Sequence, residues 1–260
     1  MFVLFPALAL LPVLIYLAAA LLPAIFLLRY VYQKDALEKE PAGLLLSLLA
    51  MGCLSAFCAA GLEIVGESVL GLFLSPESPI YIILLAFLVV AAAEEGCKLF
   101  FLKLRSWNHP AFNYRFDAVV YAAFVSLGFA ALENVQYVVN YGLSVALPRA
   151  LLAIPGHLSF AVFMGIYYGR ARQFANYGDA ERSRRSLRAG YLTAFFLHGF
   201  YDACAMLGST LSSLVFLVFV IFMFATAFRA LRHEAASDMP ITPFAPPLDP
   251  PFGPGAGYDL

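Results

Sequence analysis

Long apolar runs are the feature that most constrains how this chain can fold. A helix needs about 20 mostly apolar residues to cross the hydrocarbon core of a bilayer, and runs of this kind fill most of the 260-residue sequence. Hydrophobic residues make up 62% of the chain and charged residues 13%, whereas a soluble domain has about 45–50% and about 25%. So little polar surface cannot cover a water-soluble globule, and we predict an integral membrane protein.

Seven membrane-crossing helices are predicted. The last apolar run, from Ala189 to Phe228, is about twice as long as a bilayer core at about 1.5 Å per residue, so we divide it near Gly208-Ser209-Thr210. The predicted spans cover residues 3–28, 42–62, 80–102, 117–139, 150–169 and the two halves of the last run. The expected fold class is therefore all-α, a polytopic helical bundle of the cell membrane.

The distribution of lysine and arginine predicts the orientation of this bundle. With seven spans, nearly all of these residues fall on one side of the membrane, and only Arg149 falls on the other side, together with Glu63 and Glu67. Because cytoplasmic loops carry an excess of Lys and Arg, the N-terminus is predicted to lie outside and the C-terminus in the cytoplasm.

Two regions follow from these spans. The transmembrane domain is assigned to residues 1–235, with a motif-bearing core at about 80–207. Residues 236–260 are rich in proline and glycine and are assigned to a flexible cytoplasmic tail, since such a composition cannot pack a core. The sequence shows no basic patch with interleaved aromatic residues, so no nucleic-acid partner is expected. The lipid bilayer is the expected surrounding, and the oligomeric state stays open.

Ionisable residues inside the predicted spans are the functional signal. A charged side chain at the centre of a span costs about 2.5–3.5 kcal/mol on insertion scales. Several such groups must therefore pair, lose their charge, bind a metal or line a wet cavity. The groups fall in four spans: Glu94, Glu95 and Lys98 in the third, Glu133 with Asn134 in the fourth, His157 in the fifth, and His198 with Asp202 in the sixth.

Helical spacing indicates which of these side chains share a face. His198 and Asp202 are four residues apart, as are Glu94 and Lys98, so each pair lies on one side of its helix. Counting about 1.5 Å per residue places Glu133 further from the cytoplasmic face than the other groups, although one shared cavity remains feasible. Two of these residues also have a purely structural interpretation. Lys98 could extend its ammonium to the cytoplasmic interface, and Asn134 could be a hydrogen-bond donor between helices.

In order along the chain, these motifs resemble the PrsW family of bacterial intramembrane proteases. The similarity is carried by Glu94-Glu95-x-x-Lys98, Phe129-x-x-x-Glu133-Asn134, His157 and His198-x-x-x-Asp202, and it covers roughly residues 80–207. That family is similar to the wider CAAX-protease and bacteriocin-processing superfamily.

The resemblance implies proteolysis of membrane-anchored protein substrates, such as an anti-sigma factor, and it implies that Glu94 and Glu95 are essential. This chain has Glu133 where the CAAX proteases carry a histidine, and Asp202 where an asparagine is common, so prenyl-protein processing is not expected.

Two versions of the chemistry are compatible with these residues. In the metal version, His157, His198 and either Glu133 or Asp202 hold Zn²⁺, and one of Glu94 and Glu95 activates water. In the metal-free version, the glutamate activates water directly and a histidine stabilises the oxyanion. Lys98 and Asn134 are supporting residues in both.

Two other function classes also stay open at this point: a transporter, and a non-catalytic scaffold or receptor in which the motif residues only form contacts between helices. A proton- or ion-coupled transporter uses buried acids and histidines as relays. The lack of an internal repeat counts against a transporter, because many transporter folds are built from repeats.

Overall fold

The computed structural model describes residues 4–242 of the chain, and the side chains of residues 11–242. Within these residues the fold is entirely helical and has no strand, which confirms the predicted all-α class. The seven helices are α1 (Leu4–Lys34), α2 (Ala42–Gly71), α3 (Pro79–Ser106), α4 (Asp117–Tyr141), α5 (Leu143–Asn176), α6 (Ala180–Met206) and α7 (Thr210–Ala236).

Six of these helices, all except α6, are long and apolar enough to cross a membrane. With 27 residues, α6 is also long enough, but its arginines and the site residues His198 and Asp202 make it more polar. The predicted division of the last apolar run is confirmed, because α6 ends at Met206 and Gly208 follows with a positive φ of 63°. Ser209 then caps α7 by accepting a hydrogen bond from the backbone N–H of Ser212. The sidedness of the bundle stays a prediction.

The centre of the bundle is formed by α4 and α5, which pack against each other and carry most of the buried core. Helix α2 crosses α4 with its backbone in direct contact. A Cβ atom at Gly52 would lie 2.0 Å from the carbonyl oxygen of Val125, and one at Gly128 would lie 2.4 Å from that of Leu49. Small residues allow this close approach between membrane helices. The crossing fixes the position of α2 relative to α4.

Two helices contain π-helical turns immediately before site residues. In α3 the segment Leu85–Ala91 is π-helical and ends three residues before Glu94. In α5 the segment Arg149–Ala153 is π-helical and ends four residues before His157. A π-helical turn changes the helical register and is frequent at functional sites, so both turns change the direction in which the following side chains point.

A short strap closes the end of the bundle where α1 and α7 finish. After α7, Ile241 is buried, and its backbone N–H donates to the carbonyl of Asn113 at 2.8 Å. Asp238 accepts hydrogen bonds from the backbone N–H groups of Phe116 and Met239. The predicted tail at 236–260 therefore begins with packed residues, and residues 243–260 lie outside the described part.

Buried carboxylates gather beside this strap. Asp35 and Glu40, in the loop between α1 and α2, are 1% and 4% exposed. The Tyr121 hydroxyl donates to Glu40 at 2.5 Å, whereas Oδ2 of Asp35 has no hydrogen-bond partner among the described residues. Burial raises the pKa of Asp35 to about 6 and the pKa of Glu40 to about 7.

These raised pKa values predict the pH dependence of stability. The folded protein holds these two protons more tightly than the unfolded chain does, so their stabilising contribution is complete below about pH 4 and is lost as the pH rises through 6 to 7. We expect the double variant Asp35→Asn, Glu40→Gln to lose less stability than the wild type between pH 5 and pH 8. Unfolding in detergent at both pH values measures this, with the exposed Glu38→Gln on the same loop as control. An unchanged difference between the two pH values would contradict the prediction.

Candidate active site

A cavity of about 590 Å³ opens among helices α2 to α7. Its wall is partly apolar, with residues such as Val90, Phe129 and Phe216. The acidic side chains, the arginine and the histidines that line it come from five helices: Glu63, Glu94, Glu133, Arg149, His157, His198 and Asp202. The cavity therefore brings together the motifs that the sequence distributed over four separate spans.

The Lys98 ammonium lies at the centre of the polar cluster. Its side chain is 2% exposed, and Nζ donates to Glu94 Oε2 at 2.9 Å and to Glu95 Oε1 at 2.8 Å. Nζ also lies 3.0 Å from Nδ1 of His157 and 4.0 Å from the centre of the Phe129 ring. Lys98 thus does not extend to the cytoplasmic interface, and it links α3 to α5.

The contacts of His157 define its protonation pattern. An ammonium has donors only, so Nδ1 of His157 accepts from Lys98, and the ring proton of the neutral imidazole is on Nε2. Nε2 lies 3.0 Å from Oε2 of Glu133 and donates to it. The structure therefore brings Glu133 into direct contact with His157, although the residue count placed Glu133 further from the cytoplasmic face.

His198 is held between carboxylates from two helices. Its Nδ1 lies 2.9 Å from Oε1 of Glu95, and its Nε2 lies 3.2 Å from Oδ2 of Asp202 and 3.9 Å from Oε2 of Glu94. The imidazole stacks on the Phe160 ring at 4.7 Å. Since both nitrogens face carboxylate oxygens, both contacts are satisfied when His198 carries two protons or Asp202 carries one.

The two adjacent glutamates differ in what they face. Glu94 lines the cavity. Glu95 is 1% exposed and is enclosed by Lys98 and His198. Glu94 is therefore the carboxylate of the pair that a bound substrate or water can reach, while Glu95 orients Lys98 and His198.

Arg149 connects the site to the C-terminal end of α4 and the N-terminal end of α5. Its Nε donates to Oδ1 of Asn134 at 2.8 Å, and its guanidinium lies 3.7 Å from the centre of the Tyr137 ring. Nη2 lies 3.0 Å from Oε2 of Glu133, but Nη2 has no well-aligned hydrogen bond among the described residues, so this contact is an ion pair alone. Asn134 in turn donates to the carbonyl of Ala20 in α1 at 2.7 Å, which is the helix–helix role expected for it.

Sequence reasoning missed two charged residues of this cavity, Glu63 and Arg149. Both were assigned to the side of the membrane opposite the lysine-rich loops, because the apolar runs end at about residue 62 and begin again at about 150. The helices continue past those points, to Gly71 in α2 and from Leu143 in α5. Both residues lie within one helical turn of the end of an apolar run, and this position could have indicated that each belongs to the same helix as that run.

The chemistry of the donor groups fits a divalent metal ion. One ligand atom each from Glu94, Glu95 and His157 lies within 4.8 Å of the others, and imidazole and carboxylate are common zinc ligands. The ion-paired groups are also unbalanced, because four carboxylates face two permanent cations: Glu94, Glu95, Glu133 and Asp202 against Lys98 and Arg149. The remaining two negative charges would be neutralised by one divalent cation or by two protons.

Comparisons with known proteins agree with this geometry. Residues 40–228 match the model of the PrsW family intramembrane metalloproteases. The chain is 38% identical to a protein named protease PrsW from Geobacillus kaustophilus, over 71% of this chain and 77% of that protein. It is 31% identical to protease PrsW of Bacillus subtilis, over 85% and 96% of the two chains. No solved structure matches the chain. A family match across most of the helical core, together with these relatives, shows that the chain belongs to the PrsW family of intramembrane proteases.

Proposed function

We propose that this protein hydrolyses a peptide bond of membrane-anchored protein substrates at the cavity lined by Glu94, His157 and His198. The observation that carries the proposal is the convergence of carboxylates and imidazoles from α3, α4, α5 and α6 on one cavity. Membrane-embedded ionisable residues are costly, and they commonly mark a functional site. Family membership supports proteolysis over the transporter hypothesis.

The cavity residues supply the parts that hydrolysis needs. Glu94 takes a proton from water, and the water oxygen then attacks the carbonyl carbon of the substrate. Nε2 of His198 lies 3.9 Å from Glu94 and 3.2 Å from Asp202. Its proton, which Asp202 accepts in the free site, is shared with the developing oxyanion and stabilises it. As the C–N bond breaks, the proton collected by Glu94 passes to the leaving amine. Glu95 and Asp202 hold the His198 ring, and Glu133 holds His157.

Zinc is the proposed cofactor, and the closest donor set is Glu94, Glu95 and His157. Of the ligands that the sequence hypothesis gave besides His157, His198 contacts Glu95 and Glu133 contacts His157, so both orient members of this set. Asp202 contacts His198. When bound, Zn²⁺ would supply Lewis-acid activation of water and of the carbonyl group.

The metal-free mechanism is the second candidate, and one observation favours it. The Lys98 ammonium hydrogen-bonds to the same three side chains that would hold the ion. A metal ion must share these donors with Lys98 or displace it. In the metal-free version Glu94 and His198 keep the roles given above.

The position of the site suggests where cleavage occurs. Glu63, Glu133 and His198 each lie eight residues before the last residue of their helices, Gly71, Tyr141 and Met206, which is about 12 Å of helix. These ends lie opposite the lysine- and arginine-rich loops. We propose cleavage near that face of the membrane, with a membrane-anchored anti-sigma factor as the substrate class that the family resemblance implies.

Metal removal tests the choice between the two mechanisms. We expect a strong chelator to abolish cleavage of a single-span reporter by the purified protein in liposomes, and Zn²⁺ to restore the cleavage. Metal analysis should find close to one zinc per chain in the wild type and less in His157→Ala. Full activity with less than about one-tenth of stoichiometric zinc would overturn the metal version and leave the metal-free version.

A further inference from the structure

The inner face of α2 contributes a stripe of side chains to the cavity that the proposed mechanism does not use. Ala56, Ala60 and Glu63 all line the cavity, and their spacing of four and then three residues places them on one face of the helix. The two alanines leave room along this wall. The stripe ends in a carboxylate on the side of the cavity nearer the end of α2.

Glu63 differs from the other acids of the cavity in its partners. Glu94 is bonded to Lys98, Glu133 is paired with Arg149 and His157, and Asp202 is paired with His198. No hydrogen bond or ion pair of Glu63 is found within residues 11–242. A carboxylate in this position, partly removed from water, lacks the cation that would compensate its desolvation.

The charge of the cavity wall indicates what kind of group would supply that cation. Four carboxylates line the cavity, and the guanidinium of Arg149 is the only lysine or arginine head group among its described lining residues. Arg149 is already engaged by Glu133, Asn134 and the Tyr137 ring. A wall with an excess of acid attracts cationic groups.

We propose that Glu63 is the acid of a specificity subsite, which binds a lysine or arginine side chain of the substrate close to the cleaved bond. The aliphatic stem of such a side chain packs along Ala56 and Ala60, and its charged end reaches Glu63. Long basic side chains bury their stems against apolar surface in this way and keep the charge with a polar partner. This inference rests on the proposed proteolytic function, since it concerns which substrates the same cavity accepts.

Single-span synthetic peptides test the subsite. Each peptide has a leucine- and alanine-rich span and, at one scanned position near the outer end of the span, lysine, norleucine or glutamate. In liposomes we expect the wild type to cleave the best lysine peptide with at least tenfold higher kcat/KM than its norleucine counterpart. In Glu63→Gln this ratio should fall to about one, mainly through KM, and in Glu63→Lys the glutamate peptide should become the preferred one.

A matched control is available one turn further along the same helix. Glu67 is exposed and does not line the cavity, so Glu67→Gln should keep the lysine preference of the wild type. If the wild type cleaves lysine and norleucine peptides equally at every position, or if Glu63→Gln keeps the preference, the subsite is overturned while the proposed function stands. The wild-type comparison needs no variant to fold. If no peptide is cleaved, the proposed function itself fails and the subsite falls with it.

Discussion

Replacing Glu94 by glutamine is expected to lower kcat for cleavage of a single-span substrate by about a thousandfold, within the range of general acid–base effects. The change removes a negative charge and keeps the shape of the side chain. The amide oxygen still accepts a hydrogen bond from Lys98, which lies 2.9 Å away, so the fold should persist. The loss is expected in both mechanisms, since Glu94 is a donor to the metal ion in one and the base that takes a proton from water in the other.

Comparing Glu94→Gln with Glu95→Gln separates the roles of the two adjacent glutamates. In the metal-free version, Glu95→Gln should lower kcat less, by about 10- to 100-fold, because Glu95 is enclosed and acts by holding His198, as partners of catalytic histidines do. In the metal version, where Glu95 is also a donor to the ion, the loss should approach that of Glu94→Gln. Rates from initial velocities in liposomes, with melting temperatures of the same preparations, measure both variants. A Glu94→Gln enzyme within tenfold of the wild type would exclude Glu94 from the chemistry.

Replacing Lys98 by methionine is expected to destabilise the protein by about 3–5 kcal/mol, the usual cost of removing one partner from a buried ion pair. Methionine fills a similar volume but removes the ammonium that bonds to both Glu94 and Glu95. Nδ1 of His157 also loses its donor. Reversible unfolding in mixed detergent micelles measures the free-energy change.

Two companion variants separate charge from shape in this experiment. Lys103→Met lies on the same helix at an exposed position and should change stability by less than about 0.5 kcal/mol, as surface substitutions do. Adding Glu95→Gln to Lys98→Met should recover part of the loss, because it removes one of the two negative charges that the ammonium compensated. A Lys98→Met protein as stable as Lys103→Met would show that the cluster is not held together by its ammonium.

Geometry within one helix could be predicted from the sequence. The four-residue spacing of Glu94 and Lys98 becomes a contact of 2.9 Å, and that of His198 and Asp202 becomes one of 3.2 Å. Helix periodicity alone determines such pairs. The same holds for the end of α6, where glycine and serine marked the division of the last apolar run.

Geometry between helices could not be predicted in this way. The contact of 3.0 Å between His157 and Glu133 depends on the tilt of α4 and α5 and on the π-helical turn at Arg149–Ala153, which rotates the residues that follow it. The hydropathy pattern also predicted that the second span ends before Glu63, whereas α2 continues to Gly71. A helix continues as long as its backbone is hydrogen-bonded, and a charged residue is tolerated there when it faces a polar cavity instead of lipid.

Groups from four helices are expected to form one hydrolytic centre, and parallel kinetics of single variants test this most directly. Glu94→Gln, Glu133→Gln, His157→Ala and His198→Ala each remove one group from a different helix. Each folded variant, reconstituted with a single-span substrate, should cleave at least tenfold more slowly than the wild type, while Glu67→Gln stays within twofold. Wild-type rates in any two of the four folded variants would contradict a single centre.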